Sequence, residues 1–537
     1  MDNANTPADF DAVVVGAGFS GLYMLHRLRQ EGFSAKVIEA GGDVGGTWYW
    51  NRYPGARCDI PSLMYSYSFS EELQQEWEWQ EHYAGQPEIL RYLNHVADRF
   101  DLRRDIQFDT RVTAAAFDES SNRWTISTDT PEVISAQFCI MATGCLSSPK
   151  ELPFEGLDSF TGDWYHTGYW PHEGVDFTGQ RVGIIGTGSS SIQSIPVIAE
   201  QADHLTVFQR TANFSVPAWN HDLADDEVAE WKARYAEIRR LARIGENATG
   251  TPVNMWAATE ITPEQQREEL ERRWQMGGLA MWFPFTDVIT NDQANTIAGD
   301  FVRDKIRSTV KDPETAELLC PKGYPYGTKR VCVDTDYYDT FNRDNITLIN
   351  ISDSPIQRIT PAGLKTRTDE YAFDSLVFAT GFDAMTGTLL RMDIHGRNHT
   401  ALRDKWMAGP RAYLGLMMAD FPNLFAITGP GSPSVLSNMV VSIEQHVDWV
   451  ADCMIHLRRQ SLASIEPTKD AEDHWVDHVN ELASATLLPQ ADSWYMGANI
   501  PGKPRVFMPY LAGVGPYRQI CDEVVSDGYR GFVLSGS

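Results

Sequence analysis

The chain has no C-x-x-C pair, no apolar run long enough to span a bilayer, and too little positive charge to balance its acids. Each absence excludes something. The seven cysteines, Cys58, Cys139, Cys145, Cys320, Cys332, Cys453 and Cys521, are an odd, scattered set without metal-ligand spacing. That argues against a disulfide framework, fits a reducing compartment, and speaks against a dithiol–flavin reductase. No apolar stretch approaches the ~20 residues of a transmembrane helix. The start, MDNANTPADFDAVVVGAG, lacks the basic segment and apolar core of a secretory signal, so a cytoplasmic location is expected. With 45 Lys and Arg against 73 Asp and Glu, the formal charge is -28. Such a field repels nucleic acid and anionic membranes, and neither is expected as a partner. An anionic cofactor must therefore be received by a few local cations.

What is present points to nucleotides. The 537 residues suggest about two to four domains. Ala12–Val15 is a short apolar run ending at Gly16, followed by a helical stretch and a second run near Lys36–Ala40. The same strand–turn–helix–strand order returns at Arg181–Ile185, Gly186–Ala199 and His204–Gln209. Between them, FCIMATG (Phe138–Gly144) and later VFATGFD (Val377–Asp383) are apolar strands running into Ala-Thr-Gly, the type of segment that carries a chain between two nucleotide domains. From Asp222 to about Pro321 the pattern becomes helical, with a stripe of Val228, Trp231, Tyr235, Ile238 and Leu241 and a second helix over Pro263–Met276. Strand-like runs resume at Ile346–Ile351 and Ser375–Thr380.

Gly16-x-Gly18-x-x-Gly21 stands between a strand and a helix. Its glycines serve the tight turn, the close approach of a pyrophosphate and helix–strand packing, and the helix N-terminus favours the anion. Glu39, at the end of the second strand, can accept hydrogen bonds from a ribose but would repel a 2′-phosphate, so FAD or NAD fits and NADP does not. The second loop, Gly186-Thr187-Gly188-Ser189-Ser190-Ser191, has Ser in the third glycine's place. There Arg210 occupies the position of the acid, with Thr211 beside it. A cation at that point pairs with a 2′-phosphate, and Lys329 is a second candidate for it. FAD in the first site and NADPH in the second is the natural assignment.

Phe160-Thr161-Gly162-Asp163-Trp164-Tyr165-His166-Thr167-Gly168-Tyr169-Trp170-Pro171 matches F-x-G-x-x-x-H-x-x-x-W-P just before the second loop. It resembles the fingerprint of type I Baeyer–Villiger monooxygenases. Related flavin N- and S-monooxygenases, the competing reading, end this motif in Tyr or Phe. Gly45–Asp59, Pro321–Arg330, Ser437–His446 and Ala498–Met508 extend the resemblance over nearly the whole chain, nearest to the phenylacetone monooxygenase branch. Ser191 and Pro509 depart from the pattern and bear on the choice of substrate.

The resemblance implies an α/β protein with two Rossmann-like dinucleotide-binding domains, for FAD and NADP, and a helical insertion. The expected boundaries are 1–143 and 383–537 for FAD, 144–221 and 322–382 for NADP, and 222–321 for the insertion. It also implies a monomer that takes a ketone and dioxygen to an ester or lactone through an anionic flavin peroxide, with sulfides as further substrates. Arg330 is then the cation that keeps the oxygen anionic, and Asp59 its partner. On the residues alone, Arg330 reads equally as a surface cation after a Gly-Thr-Lys turn, and Asp59 as a helix cap. His166 is grouped with the catalytic residues as a coupler of domain rotation, although a core histidine reads almost as well. Ser20, Trp48, Tyr65, Val112 and Met439 match flavin-contacting positions, and Trp494 an aromatic over the nicotinamide. Ile60, Cys145, Leu436 and Met439 are candidate pocket residues whose apolar character suits a ketone.

Overall fold

The computed structural model describes residues 10–249 and 255–536; the start of the chain read above, 1–9, lies outside the described residues. Two mainly parallel sheets organise it. In the first, Phe10–Val15 lies between Ala35–Ile38 and Val133–Met141, all parallel. Its side chains alternate between two separate cores, Ala12 and Val14 on one face and Val13 and Val15 on the other. A central parallel strand is covered on both faces, which is why this segment is a continuous apolar run. Arg123–Thr128 and Val112–Asp118 extend the sheet antiparallel. The helix Phe19–Gln30 covers one face and packs on the long helix Met439–Arg459. There Tyr23 donates to Asp448 at 2.7 Å and Arg27 pairs with the same carboxylate at 3.2 Å. The C-terminal part of the chain thus completes the first unit.

The second sheet has five strands in the order Ile346–Asn350, His204–Gln209, Arg181–Ile185, Ser375–Phe378, Asp163–His166, every pair parallel. Two connecting segments join the units and run side by side. Asp383 N–H donates to Ser148 O at 2.8 Å, Lys150 N–H to Gly381 O at 3.1 Å, and Met385 N–H to Cys145 O at 2.9 Å. The segments that leave the two Ala-Thr-Gly echoes, together termed the hinge, therefore pair with each other.

Helices Asp225–Ile244, Pro263–Met276, Asp292–Thr309 and Pro313–Leu319 form the stretch that follows the second unit's first half. Pro263–Met276 starts with a capping box on Thr262 and Gln265 and Pro at its first position, which fixes its N-terminus. The apolar stripe expected on Asp225–Ile244 is only partly the buried face. Tyr235 is buried, but Leu241 is 41% exposed, while Arg239 is 4% exposed. Arg239 turns inward because it has acceptors there: the Met64 carbonyl at 2.9 Å, the Leu63 carbonyl at 3.2 Å and Ser66 Oγ at 2.7 Å. Periodicity reads hydrophobicity and cannot see those acceptors.

A short parallel pair, Ser215–Pro217 with Cys332–Asp334, closes the helical stretch at its base. Asp334 is buried there, accepting from Ser215 Oγ and from Tyr337 N–H. Burial outweighs these bonds and pushes its pKa from 3.8 to about 6. A folded-state pKa above the unfolded one means that the folded protein holds the extra proton. Stability from this group is complete below pH 3.8 and is lost as pH rises through about 6. Asp334→Asn keeps an acceptor for Tyr337 N–H and can donate to Ser215 Oγ, without the charge. Denaturation between pH 4 and pH 7 is expected to show the wild type losing on the order of 2–3 kcal/mol relative to the variant; parallel curves would refute a buried, protonatable Asp334.

Candidate active site

At the first loop, Gly16 has φ +108°, and a Cβ on Gly21 would lie 1.8 Å from the Gly16 carbonyl oxygen. Only glycine allows this turn and this approach. The helix that follows begins at Gly18 without a side-chain cap, leaving its first N–H groups for an anion. Ser20 is buried in that first turn. Glu39 accepts from Ala17 N–H and Gly41 N–H, both at 2.7 Å. Burial pushes its carboxyl up, and those two N–H groups pull it back. Val112 stands at this end of the site, since Thr110 N–H donates to the Glu39 carbonyl at 2.9 Å. Trp48 and Tyr65 lie elsewhere, with Trp48 Nε1–H donating to the Tyr65 hydroxyl at 3.2 Å.

The second loop repeats the geometry. Its helix, Ser189–Gln201, also starts at an uncapped glycine, Gly188, where an added Cβ would meet no protein atom within 4 Å. Ser191 fits in place of the third glycine, its hydroxyl buried without a hydrogen-bond partner. Thr187 Oγ1 donates to the Thr211 carbonyl at 2.9 Å, tying the loop to the strand end that carries Arg210. Ser189 Oγ is 3.2 Å from Cys332 Sγ. Arg210 is exposed, and Lys329 is half-buried with its ammonium 4.6 Å from the Tyr324 ring. Burial lowers the pKa of Lys329, and the charge of Arg210 lowers it further. Lys150 shows the same pair of causes in the same order. Three cations therefore crowd one place on a protein of charge -28, an arrangement that a phosphate relieves. Lys150 escaped the sequence reading because it follows the hinge strand, remote in sequence from the loop it joins.

Arg330 and Asp59 are brought together. Arg330 Nη2–H and Nε–H donate to the same carboxylate oxygen at 2.6 Å and 3.1 Å, and Nη1–H to the Val435 carbonyl at 2.8 Å. The guanidinium carbon lies 4.9 Å from the centre of the Trp282 ring. Burial alone would lower the Arg330 pKa; Asp59 and Tyr495 outweigh it, and the net shift is upward. A cation that cannot release its proton results. Neither Trp282 nor Tyr495 was legible in the sequence: the first comes from the helical stretch and the second follows Trp494, whose ring is 4.3 Å from it.

The pocket candidates gather around this pair. Val435, which accepts from Arg330, precedes Leu436; Cys145 Sγ is 3.7 Å from Ser434 Oγ; Ile60 follows Asp59. Ile60 and Cys145 are buried, while Leu436 and Met439, at the start of Met439–Arg459, are half-buried. His166 stands apart. It ends Asp163–His166, its Nδ1 accepts from Gly168 N–H at 3.0 Å, and its Nε2 is 3.2 Å from Thr380 Oγ1 on the hinge. No charged group contributes to its shift; burial alone lowers its pKa to about 4. His166 thus lies against Thr380 of the connecting segment, with no hydrogen bond or ion pair to Arg330 or Asp59 among the described residues.

Two dinucleotide loops, one beside a buried acid and one beside crowded cations, define a two-nucleotide oxidoreductase. A family model described as pyridine nucleotide-disulphide oxidoreductase matches residues 13–252; with no C-x-x-C in the chain, the likeness is to the scaffold. The chain is 44% identical over 530 residues to a Baeyer–Villiger monooxygenase of Pseudooceanicola batsensis, covering 98% of this chain and 96% of that one. Among solved structures, an oxidized steroid monooxygenase bound to NADP superposes with a TM-score of 0.95 at 52% identity, over 98% of this chain and all of that one. A complex of OTEMO with FAD and NADP also gives 0.95, at 40% identity over 99% of this chain and 100% of that one. The chain belongs to the Baeyer–Villiger monooxygenase family, and its cofactors are FAD and NADPH. Among the described residues no helix is long and apolar enough to cross a membrane.

The His166 geometry has a direct consequence. Since Nδ1 accepts, the ring proton sits on Nε2 and is donated to Thr380. Nitrogen NMR of histidine-labelled protein is expected to show this neutral tautomer unchanged from pH 8 down to about pH 5, with the imidazolium forming only near pH 4. Titration near the ordinary value of 6.5 would contradict it.

Proposed function

We propose that Arg330, held by Asp59, is the residue that makes this enzyme a ketone monooxygenase, and that the two nucleotide sites divide as follows. Gly16, Gly18, Ser20, Gly21 and Glu39 hold the FAD phosphates and ribose, with Val112 at the adenosine end and Trp48, Tyr65 and Met439 towards the ring. Thr187, Gly188, Ser189 and Ser190 hold the NADPH pyrophosphate, Arg210, Thr211 and Lys329 its 2′-phosphate, and Trp494 covers the nicotinamide. FAD belongs to the unit of 1–143 and 383–537, NADPH to that of 144–221 and 322–382, with 222–321 inserted. Reduced by NADPH, FAD supplies the activation of dioxygen.

The chain's own task is electrostatic. An oxygen nucleophile attacks a carbonyl carbon far more readily as the anion than in its protonated form. A fixed guanidinium favours that charge, and it cannot act as an acid and quench it. Three of its five N–H donors are engaged by Asp59 and Val435, so its orientation is set while the others are free of those acceptors. Ile60, Cys145, Leu436 and Met439 give the ketone an apolar wall and exclude water. The observation that carries this reading is the Arg330–Asp59 pair itself, built from positions far apart in sequence and stacked on Trp282.

Arg330→Ala is expected to leave NADPH oxidation running while ester formation falls by about a thousandfold or more. Chromatography of products from a ketone panel decides this, and retained ester formation would refute the role. Arg210→Ala is expected to raise the KM for NADPH by roughly 10–100-fold and to leave NADH nearly unchanged, with Lys150→Ala giving a smaller change in the same direction. Equal losses with both coenzymes would remove the 2′-phosphate assignment.

A further inference from the structure

Where the helical stretch begins, two imidazoles and a carboxylate meet outside the nucleotide sites. His82 lies on the segment that leads away from Trp79, His221 just before the helix Asp225–Ile244, and Glu227 in that helix's first turn. One ligand atom from each lies within 4.8 Å of the others. The two rings are stacked, with centroids 5.0 Å apart and an interplanar angle of 18°. His82 Nδ1 is 3.9 Å from Glu227 Oε1, and His221 Nε2 is 3.6 Å from Glu227 Oε2. Both separations are too long for hydrogen bonds.

The His221 tautomer sharpens the picture. Its Nδ1 is 3.0 Å from the Trp219 carbonyl, which can only accept, so Nδ1 carries the proton. Its Nε2 lone pair then faces the Glu227 carboxylate, and a cation shared between two such electron-pair donors stabilises the arrangement. An imidazole whose second nitrogen is fixed by a backbone carbonyl is also the usual second shell of a metal-ligating histidine.

The backbone holds these groups in place independently of any ligand. His82 N–H donates to the His221 carbonyl at 2.9 Å, Leu223 N–H to the Gln80 carbonyl at 2.8 Å, and Tyr83 N–H to Asn220 Oδ1 at 2.8 Å. Glu81, next to His82 in sequence, is turned to Arg57 and Asn220. The side chains of His82, His221 and Glu227 keep 24%, 52% and 31% of their surface accessible, so a metal can enter and keep a water.

We propose that His82, His221 and Glu227 form a site for a divalent transition metal of the zinc class. Two imidazole nitrogens and one carboxylate oxygen suit Zn(II), Co(II), Ni(II) or Cu(II), whereas Mg(II) and Ca(II) prefer all-oxygen sets. The site clips the start of the helical stretch to the segment that supports Asp59. The His82 carbonyl accepts from Ser62 N–H at 2.8 Å, and the Ala84 carbonyl accepts from Cys58 N–H at 3.1 Å. Metal binding here therefore stiffens the support of the Arg330 partner.

The test uses tag-free holoenzyme, stripped with a chelator and dialysed. Titration with Zn(II) by calorimetry, and with Co(II) by its visible absorption, is expected to show one saturable site per chain and a Zn(II)-dependent rise in melting temperature. The double variant His82→Gln/His221→Gln is expected to bind at least about 100-fold more weakly, and Glu227→Gln about tenfold more weakly. His95→Gln, outside the site, should bind as the wild type does, and Mg(II) should give no signal. Absence of saturable Zn(II) binding to the wild type, or equal binding by wild type and double variant, would overturn the proposal. If the double variant loses its flavin, the single Glu227→Gln variant decides by the same criterion.

Discussion

A guanidinium half-buried between two nucleotide-binding units is costly to hold, and much of the architecture serves that one cation. Removing Arg330 from water disfavours its charge, and Asp59, the Val435 carbonyl, the Trp282 ring and Tyr495 must together offset this. These partners come from four separate stretches of the chain. Asp59 belongs to a loop within the first nucleotide unit, Trp282 to the helical stretch, Val435 to the segment before the long helix Met439–Arg459, and Tyr495 to the C-terminal part. The pair forms only when all four are docked. Arg rather than Lys suits the place because a planar fork can bond a carboxylate through two nitrogens, reach a carbonyl and still stack on an indole.

The same logic of local charge against global charge governs coenzyme choice. At -28 overall, the protein repels a nucleotide phosphate at long range. Screening confines that repulsion to about one Debye length, roughly 8–10 Å at ordinary ionic strength. Inside that distance Arg210, Lys329 and Lys150 set the sign. Burial first and the charge of Arg210 second lower the pKa of both lysines, while Asp383 opposes this at Lys150 and Asp492 at Lys329. Crowded cations raise the free energy of the site without phosphate. Under the assignment proposed above, selectivity for the phosphorylated coenzyme would draw on that as well as on direct bonds to the phosphate.

What could be read from the sequence and what could not divide along a physical line. The glycine loops, Glu39 and Arg210 were legible because a pyrophosphate on a helix N-terminus needs small residues and a strand-end side chain at fixed spacing. Both sheets followed from the apolar strands beside those loops. Arg330 and Asp59 had to be inferred from resemblance, since no local pattern links positions separated by 271 residues. Trp282, Tyr495, Lys150 and the Val435 carbonyl were invisible because their roles exist only in the tertiary arrangement, and a backbone carbonyl carries no sequence signal at all. His166 shows the opposite case: a signature position whose environment, an acceptor bond from Gly168 and a contact to Thr380, belongs to the hinge.

The helical stretch is coupled to the ion pair at more than one point. It supplies Trp282 to the guanidinium, and it drives Arg239 into the carbonyls of Leu63 and Met64, just past Asp59 and Ile60. Its first turn meets the His82 segment, whose carbonyls support Ser62 and Cys58 on either side of Asp59. Displacing this stretch would therefore strip the indole from Arg330 and loosen the loop that holds its counter-charge in a single movement. The indole against Arg330 and the support of the Asp59 loop thus share one element of the chain, so a change in that element reaches both members of the ion pair.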